Sequence, residues 1–302
     1  MFISLPPGGK QKSDLRCVNR PLNKNLNIGN NRINPRLSYN LPRELYETPY
    51  FKKGLFMAKT LGILGGLGPA ASAYFYETIT EHTKALRDQD HLDIVLFSKA
   101  SIPDRTEFIL GKSPRSPLPA MIDGVHALVR AGADIIAIPC NTAHYFYDKI
   151  EKNSPVPVLN IIGETVRLAK AAGIRKLGIM ATSGTVKAGA YQEACLAEGL
   201  DFTLPTERSQ AALMDIIYKD IKTSGAPDMD AFMRVAEELY ENGAGAIVLG
   251  CTELSLIRGL ENHPRYLFID SLLTLALRSI EACGKTPVGF AEIYGALNEA
   301  LS

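Results

Sequence analysis

One pattern occurs twice in this chain: a short run of apolar residues, a cysteine, and then residues that commonly begin helices. In the first copy, residues 134–144, Cys140 follows an apolar run that ends in Pro139. In the second copy, residues 245–255, Cys251 follows a similar run. Short continuous apolar runs are typical of strands buried on both faces of parallel sheets. Both cysteines are therefore predicted to lie at the carboxyl ends of such strands, where open α/β sheets bind ligands.

The two copies belong to a longer internal repeat. Residues 59–64 (Lys-Thr-Leu-Gly-Ile-Leu) match residues 175–180 (Arg-Lys-Leu-Gly-Ile-Met), and the cysteine follows the shared glycine by 78 positions in one half and 73 in the other. Alternating strands and helices predict parallel sheets with right-handed crossovers. The predicted elements include a helix from the glycine-rich loop through about Leu86, a strand over 156–160, a helix around 188–198 and a long helical stretch over 207–222. We expect an α/β protein with two pseudo-symmetric, flavodoxin-like parallel-sheet domains that face one active-site cleft. The first domain is expected to comprise 58–157 with 271–302, and the second 158–270.

Composition separates residues 1–57 from the rest of the chain. This segment contains eight asparagines, ten basic residues and three acidic ones, without sustained periodicity. Such a composition cannot bury enough apolar surface to offset the conformational entropy of the chain. A disordered arm or an upstream extension is therefore expected, with Met57 as the physiological start. The basic, acid-poor character also permits an organelle-targeting segment.

The remainder of the chain has an ordinary globular composition. The whole sequence is 46% hydrophobic and 22% charged, and after residue 57 acidic residues outnumber basic ones by 29 to 23. That balance argues against nucleic-acid binding. No apolar stretch is long enough for a membrane helix, and the five cysteines show no metal-binding or disulfide spacing. We expect a cytoplasmic protein without a metal site.

A cysteine from each half would permit a reaction that one base cannot perform. One thiolate removes the α-proton of a chiral carboxylate, and the opposite thiol returns a proton to the other face of the carbon. The unperturbed pKa of a thiol, about 8.5, lies near the working pH, so either sulfur can begin as the acid or the base. Each sulfur must approach the carbon to about 3.5 Å, which predicts a sulfur–sulfur distance of about 7 Å.

Residues beside the cysteines are candidates for binding the substrate. Asn141 and Thr142 are helix-capping types and predict a helix over 143–150, and Thr252 is in the equivalent position after the second cysteine. Helix starts there would favour a thiolate, and their N–H groups could spread the charge of a carbanion. The same residues could simply cap helices.

Two loops at the same predicted edge of the first sheet differ in their chemistry. Residues 65–69 form a glycine-rich loop in which a ligand could approach the backbone. It lacks the spacing of a dinucleotide fingerprint and carries no phosphate-binding lysine, so a nucleotide is not expected. The loop after the second predicted strand carries Arg105, either a ligand-binding cation or a solvated arginine in a turn.

These motifs resemble a known family. Residues 139–144 (Pro-Cys-Asn-Thr-Ala-His) and 250–255 (Gly-Cys-Thr-Glu-Leu-Ser) are similar to the paired signatures of the aspartate/glutamate racemase superfamily. Residues 62–69 (Gly-Ile-Leu-Gly-Gly-Leu-Gly-Pro) and 103–106 (Pro-Asp-Arg-Thr) resemble its aspartate racemase branch. The resemblance covers about residues 58–283. It implies a racemase that interconverts L- and D-aspartate without pyridoxal phosphate or any other cofactor.

The resemblance also implies roles for individual residues. Cys140 and Cys251 would be the catalytic pair, while Arg105 and Lys222 would hold the two carboxylates of a dicarboxylic amino acid. Family members are often dimers, so a homodimer is expected, and no metal is implied. The further substrate-binding residues expected are Gly66, Leu67, Asn141, Thr142, Ala143 and Thr252.

Two departures bear on the substrate. Glutamate racemases commonly have a histidine after the second Cys-Thr and an acidic residue in the glycine-rich loop, where this chain has Glu253 and Gly66-Leu67. Glutamate is therefore the less expected substrate. The alternatives are a broad-specificity amino-acid racemase, a hydantoin racemase, a related carbon-acid enzyme such as a maleate isomerase or malonate decarboxylase, and a non-catalytic carboxylate-binding protein.

Several other residues have two interpretations. Glu253 could begin a helix, or lie near Cys251 and raise its pKa. His144 could support a thiolate at Cys140 or simply pack, and Tyr218 is interpreted as packing in the cleft. The remaining cysteines are interpreted as bystanders: Cys17, Cys195 and Cys283.

Overall fold

The structure is a computed structural model and describes residues 59–260 and 263–290. The interpretation of residues 1–57 as a disordered arm lies outside these residues, as do the proposed start at Met57 and the bystander Cys17. All the other site residues predicted above lie within them.

Two parallel sheets form the framework of the described residues. The first has the strand order β2-β1-β3 and the second β5-β4-β6-β7. In both, the first strand of the repeat lies between the second and the third, as in flavodoxin-like folds. The predicted α/β class with parallel sheets is confirmed. The strands are β1 (Leu61–Gly65), β2 (Ile94–Ser98), β3 (Ile135–Ala137), β4 (Lys176–Ala181), β5 (Asp201–Thr203), β6 (Ala246–Gly250) and β7 (Phe268–Asp270).

Helices connect these strands and cover the sheets. Within the described part of the chain, no helix has the length and apolar character that crossing a membrane requires. The helices are α1 (Pro69–Glu81), α2 (Arg105–Ile109), α3 (Leu118–Arg130), α4 (Tyr147–Asn153), α5 (Ile161–Ala171), α6 (Ser183–Ala188), α7 (Ala190–Glu198), α8 (Glu207–Asp215), α9 (Met229–Glu241) and α10 (Ser271–Ala282).

The glycine shared by the two halves of the repeat has a packing role. Gly62 lies in β1 and Gly178 in β4, each the strand between its two neighbours. A Cβ added at Gly62 would lie 2.7 Å from the Cβ of Ala133, and one at Gly178 would lie 3.0 Å from the Cβ of Leu239. Both glycines thus allow the covering layer to approach the sheet closely, since a side chain there would overlap its neighbours.

Equivalent helices of the two halves join the sheets. Helix α10, which follows β7 of the second sheet, packs on α5 and on α1 of the first half. Helix α5 in turn packs on α7. A buried ion pair links α5 and α10, with Arg278 Nε 3.1 Å from Glu164 Oε2. The domain boundaries expected from the sequence stay a prediction.

Some predicted elements differ from the structure. The first helix ends at Glu81 rather than near Leu86, because the next residues pair with a later segment: Lys84 N–H donates to Thr286 O at 2.9 Å. The strand predicted over 156–160 is reduced to a single bridge. The helix predicted over 188–198 is divided by a left-handed glycine, Gly189, at φ 73°.

Candidate active site

The two cysteines follow equivalent strands and meet at one cavity. Cys140 follows β3 and Cys251 directly follows β6, and both residues are buried, exposing 6% and 4% of their surface. The cavity has a volume of about 10 Å³, which accommodates a single water molecule and not an amino acid. Eight predicted site residues line it: Leu67, Arg105, Cys140, Asn141, Thr142, Lys222, Cys251 and Thr252.

Two predicted site residues have other positions. Gly66 supports the loop: its φ of 85° is left-handed, and its N–H donates to the hydroxyl of Ser72 at 2.9 Å. Ala143 is fully buried in the apolar core of the first half. Neither residue lines the cavity. The sequence motifs therefore predicted which segments reach the cavity, but not which residues of those segments line it.

Arg105 is held in place by backbone carbonyls. Its guanidinium donates to Leu67 O at 2.7 Å and to Pro103 O at 3.0 Å. Its Nε is buried and has no hydrogen-bond partner among the described residues. Burial alone would lower the pKa of Arg105, but its interactions with Cys140 and Asp104 outweigh burial and raise that pKa. The arginine is thus a charged donor at the cavity, positioned before any ligand binds.

A short helix, in a segment predicted to be a loop, positions this arginine. Arg105 is the first residue of α2, and the Asp104 carboxylate caps the helix by accepting from Glu107 N–H at 2.8 Å. The signal that could have located it is the acidic residue three positions after the capping aspartate, which is typical of a helix start. The cap fixes the direction in which the arginine leaves the backbone.

Glu253 lies directly against Cys251. The thiol donates to Glu253 Oε2 at 2.9 Å, and Oε1 of the same carboxylate lies 2.7 Å from Lys222 Nζ. Burial and the Glu253 charge raise the pKa of Cys251 well above its ordinary value. Burial would lower the pKa of Lys222, but the charges of Glu253 and Cys251 raise it. Of the two interpretations of Glu253, the one that placed it beside Cys251 is correct.

An irregular turn brings Lys222 and Tyr218 to the cavity. The long helix predicted over 207–222 is regular only to Asp215, and then continues as a π turn at Ile216–Asp220 and a 3₁₀ turn at Ile221–Thr223. Such π turns occur frequently at functional sites. The Tyr218 hydroxyl reaches across to Asp104 Oδ2 at 3.3 Å, and burial raises the pKa of Tyr218.

The residues after Cys140 connect the two halves instead of capping a helix. The Asn141 amide donates to Ser271 Oγ at 2.9 Å and its carbonyl oxygen accepts from Tyr191 OH at 2.7 Å. Thr142 Oγ1 lies 2.9 Å from Thr182 Oγ1 in the second half. The predicted caps are therefore wrong, because these side chains are used in contacts between the halves.

The expected helix starts are also shorter than predicted. Thr142–Phe146 is a 3₁₀ segment that precedes α4, and only a turn follows Cys251 before the 3₁₀ segment Leu254–Leu256. A regular helix does not begin directly after either cysteine. The helix starts that were expected to favour a thiolate are therefore not present at these positions.

His144, Cys195 and Cys283 are buried and do not line the cavity. His144 Nδ1 donates to Cys140 O at 2.9 Å and Nε2 accepts from Ile161 N–H at 3.3 Å, while burial lowers its pKa and keeps it neutral. Burial raises the pKa of Cys195 to about 11 and that of Cys283 to about 12. Within the described residues, no three His, Cys, Asp or Glu side chains are grouped to hold a metal ion.

Comparison with known proteins agrees with these features. The broad specificity amino-acid racemase RacX of Bacillus subtilis is 25% identical over 201 residues, which is 65% of this chain and 86% of that protein. A glutamate racemase of Corynebacterium kroppenstedtii is 34% identical over 135 residues, 44% of this chain and 46% of that protein.

Solved structures and a family model extend the comparison. The aspartate racemase of Picrophilus torridus is similar with a TM-score of 0.66 and 30% identity, covering 78% of this chain and 99% of that one. The model of the Asp/Glu/Hydantoin racemase family matches residues 64–277, which include both cysteine strands. On this match, and on the two sheets and two cysteines that it spans, the chain belongs to the Asp/Glu/hydantoin racemase family.

Proposed function

We propose that this protein is an amino-acid racemase that interconverts L- and D-aspartate by a two-base mechanism. The observation that carries the proposal is the pair of thiols, one from each half of the repeat, on one cavity with Arg105. Similarity to the Picrophilus torridus aspartate racemase supports aspartate as the substrate. The two thiols would face the α-carbon from opposite sides, as the sequence analysis predicts.

Each group at the cavity has a role in this mechanism. One sulfur removes the α-proton as a thiolate while the other delivers its proton to the opposite face, so that configuration inverts. The buried Nε of Arg105 binds a substrate carboxylate as a directional donor. Lys222, which forms an ion pair with Glu253, approaches the second carboxylate of the substrate. Both cations stabilise the negative charge that develops when the α-proton leaves.

A broad-specificity amino-acid racemase is the second candidate, and one contact favours it. Lys222 is already paired with Glu253 at 2.7 Å, so one of the two cations expected to bind carboxylates is neutralised within the protein. Among the described residues that line the cavity, Arg105 is then the cation without a carboxylate ion pair, which fits an amino acid with a single carboxylate. The relative RacX has broad specificity by its name.

Proton exchange separates these functions. In deuterated water, the protein should replace the α-hydrogen of L- or D-aspartate while the circular dichroism of the solution decays to zero. The same assay with glutamate, alanine and lysine ranks the substrates. Comparable exchange rates for neutral and acidic amino acids would favour the second candidate, and no exchange with any of them would contradict both. A homodimer and a cytoplasmic location stay predictions.

A further inference from the structure

The two sulfurs face groups of opposite charge. Cys251 donates to the carboxylate of Glu253 at 2.9 Å, and both residues are buried, with exposures of 4% and 5%. Cys140 instead lies on the same cavity as Arg105, whose guanidinium is coupled to it electrostatically. A carboxylate beside a thiol opposes loss of the proton, whereas a cation stabilises a thiolate. The two halves of the repeat thus share a backbone arrangement but place side chains of opposite charge near their cysteines.

We propose that Glu253 is a positioning residue that holds a proton on Cys251, so that Cys251 begins the reaction as the acid and Cys140 as the base. This inference rests on the racemase function proposed above and goes further by assigning a starting role to each sulfur. In the resting protein Cys140 is the base and Cys251 is the acid. Only the enantiomer whose α-hydrogen faces Cys140 reacts with this resting form.

One turnover reverses the pair. The Cys140 thiolate forms an S–H bond as the substrate C–H bond breaks, and the electron pair stays on the α-carbon. The Cys251 S–H bond then breaks as its proton joins the opposite face of that carbon. A thiolate remains at Cys251 beside the Glu253 carboxylate, an arrangement of adjacent negative charges. The pair returns to rest when Cys140 releases its proton to water and Cys251 takes one up.

The other groups near Cys251 set the size of the effect. Lys222 binds the second oxygen of Glu253 and opposes its influence on the thiol, but burial and Glu253 prevail. Tyr218 keeps its proton at neutral pH because burial raises its pKa. The charged and titratable groups concerned are Glu253 on the same loop, Lys222 and Tyr218 on the irregular turn, Asp104 and Arg105 at the start of α2, and Cys140 after β3.

Gly68 allows the carboxylate to occupy this position. A Cβ added at Gly68 would lie 2.5 Å from Glu253 Oε1. A Gly68→Ala variant should therefore move the end of the Glu253 side chain while the charge of the protein is unchanged. Gly68→Ala therefore tests the position of the carboxylate, whereas Glu253→Gln tests its charge.

The test is alkylation of the full-length protein by iodoacetamide, a neutral reagent, from about pH 6 to about pH 10, with Cys140 and Cys251 peptides quantified by mass spectrometry. Each rate is divided by the rate of the same thiol at the highest pH, which removes the effect of access to the buried site. A rate that still rises about tenfold per pH unit at that end places the midpoint above the range. In the unaltered protein Cys140 should have a lower midpoint than Cys251. Glu253→Gln and Gly68→Ala should both lower the Cys251 midpoint. At pH values below the midpoint, Glu253→Gln should accelerate Cys251 labelling about tenfold, which is equivalent to one pKa unit. Glu77→Gln, which removes an exposed carboxylate, is the matched control and should change neither midpoint.

Two results would overturn the proposal: a Cys251 midpoint below that of Cys140 in the unaltered protein, or an unchanged Cys251 midpoint in Glu253→Gln. Alkylation requires no turnover, so the outcomes remain distinguishable. An unchanged midpoint in a protein that racemises amino acids removes the role of Glu253 alone. A lowered midpoint in a protein that exchanges no α-hydrogen supports the charge assignment and contradicts the racemase function.

Discussion

The hydroxyl of Thr252, which follows the second cysteine, donates a hydrogen bond at 3.1 Å to the carbonyl of Pro139, which precedes the first. The bond joins residues 113 positions apart and connects the two cysteine segments directly. Since both cysteines neighbour these partners in the sequence, the bond restricts the separation of the two sulfurs.

Thr252→Val tests that restriction. Valine preserves the shape but leaves the Pro139 carbonyl without this donor, which should lower the free energy of unfolding by about 1–3 kcal/mol and reduce kcat more than it raises KM. Urea denaturation and initial racemisation rates measure both. The control is Thr78→Val, whose hydroxyl is equally buried but bonds only within its own helix, to Tyr74 O. A normal kcat in Thr252→Val would show that the bond does not hold the sulfurs in place.

Replacement of either cavity cysteine should abolish racemisation. Cys140→Ser and Cys251→Ser should each lower kcat by about 10²–10⁴-fold, the usual contribution of general acid–base catalysis, because a hydroxyl holds its proton far more tightly than a thiol does. Circular dichroism of L-aspartate solutions gives the rates. Cys195→Ala, at a buried cysteine away from the cavity, should retain activity. Near-full turnover in either serine variant would contradict the two-base assignment.

Arg105→Lys keeps the charge and removes the planar donor group. Loss of a hydrogen bond to a charged group costs about 1.5–3 kcal/mol, so KM for aspartate should rise roughly 10- to 100-fold. Arg115→Lys, at an exposed position ten residues further along the chain, should leave KM unchanged. In a parallel Arg105→Ala variant, aspartate should lose more turnover than alanine does. Equal losses for the two substrates would mean that Arg105 does not hold the side-chain carboxylate.

Gly62→Ala should destabilise the protein because the added Cβ would lie 2.7 Å from the Cβ of Ala133. Overpacking of this kind typically costs about 1–3 kcal/mol, measurable as a lower midpoint of urea denaturation. Gly245→Ala is the control: there the nearest atom to an added Cβ is 3.7 Å away, an ordinary contact. An equal change in both variants would contradict the packing role of the repeated glycine.

The strands and the cysteine positions could be predicted because they depend on local sequence. Continuous apolar runs before Cys140 and Cys251 determine a buried strand in each half, and the shared glycine identifies the repeat. The position of Arg105 also followed from its motif, although its short helix did not. The sequence therefore predicted the two sheets and the residues that follow the carboxyl ends of their strands.

The charges around the sulfurs could not be predicted in the same way. Lys222 reaches Glu253 only because a predicted regular helix changes to a π turn after Asp215, which depends on tertiary packing. The predicted caps at Asn141 and Thr142 failed for a related reason: their side chains bond to residues 40 to 130 positions away. Spacing along the chain carries no information about such partners.

The burial of both cavity cysteines, which expose 6% and 4% of their surface, also affects what happens to the abstracted hydrogen. A hydrogen held on a buried sulfur has few water molecules with which to exchange while the substrate is bound. Deuterium or tritium placed at the α-carbon should accordingly be returned to the original enantiomer in part, with its label retained. The fraction retained measures how fast the label returns to carbon relative to how fast it is lost to water.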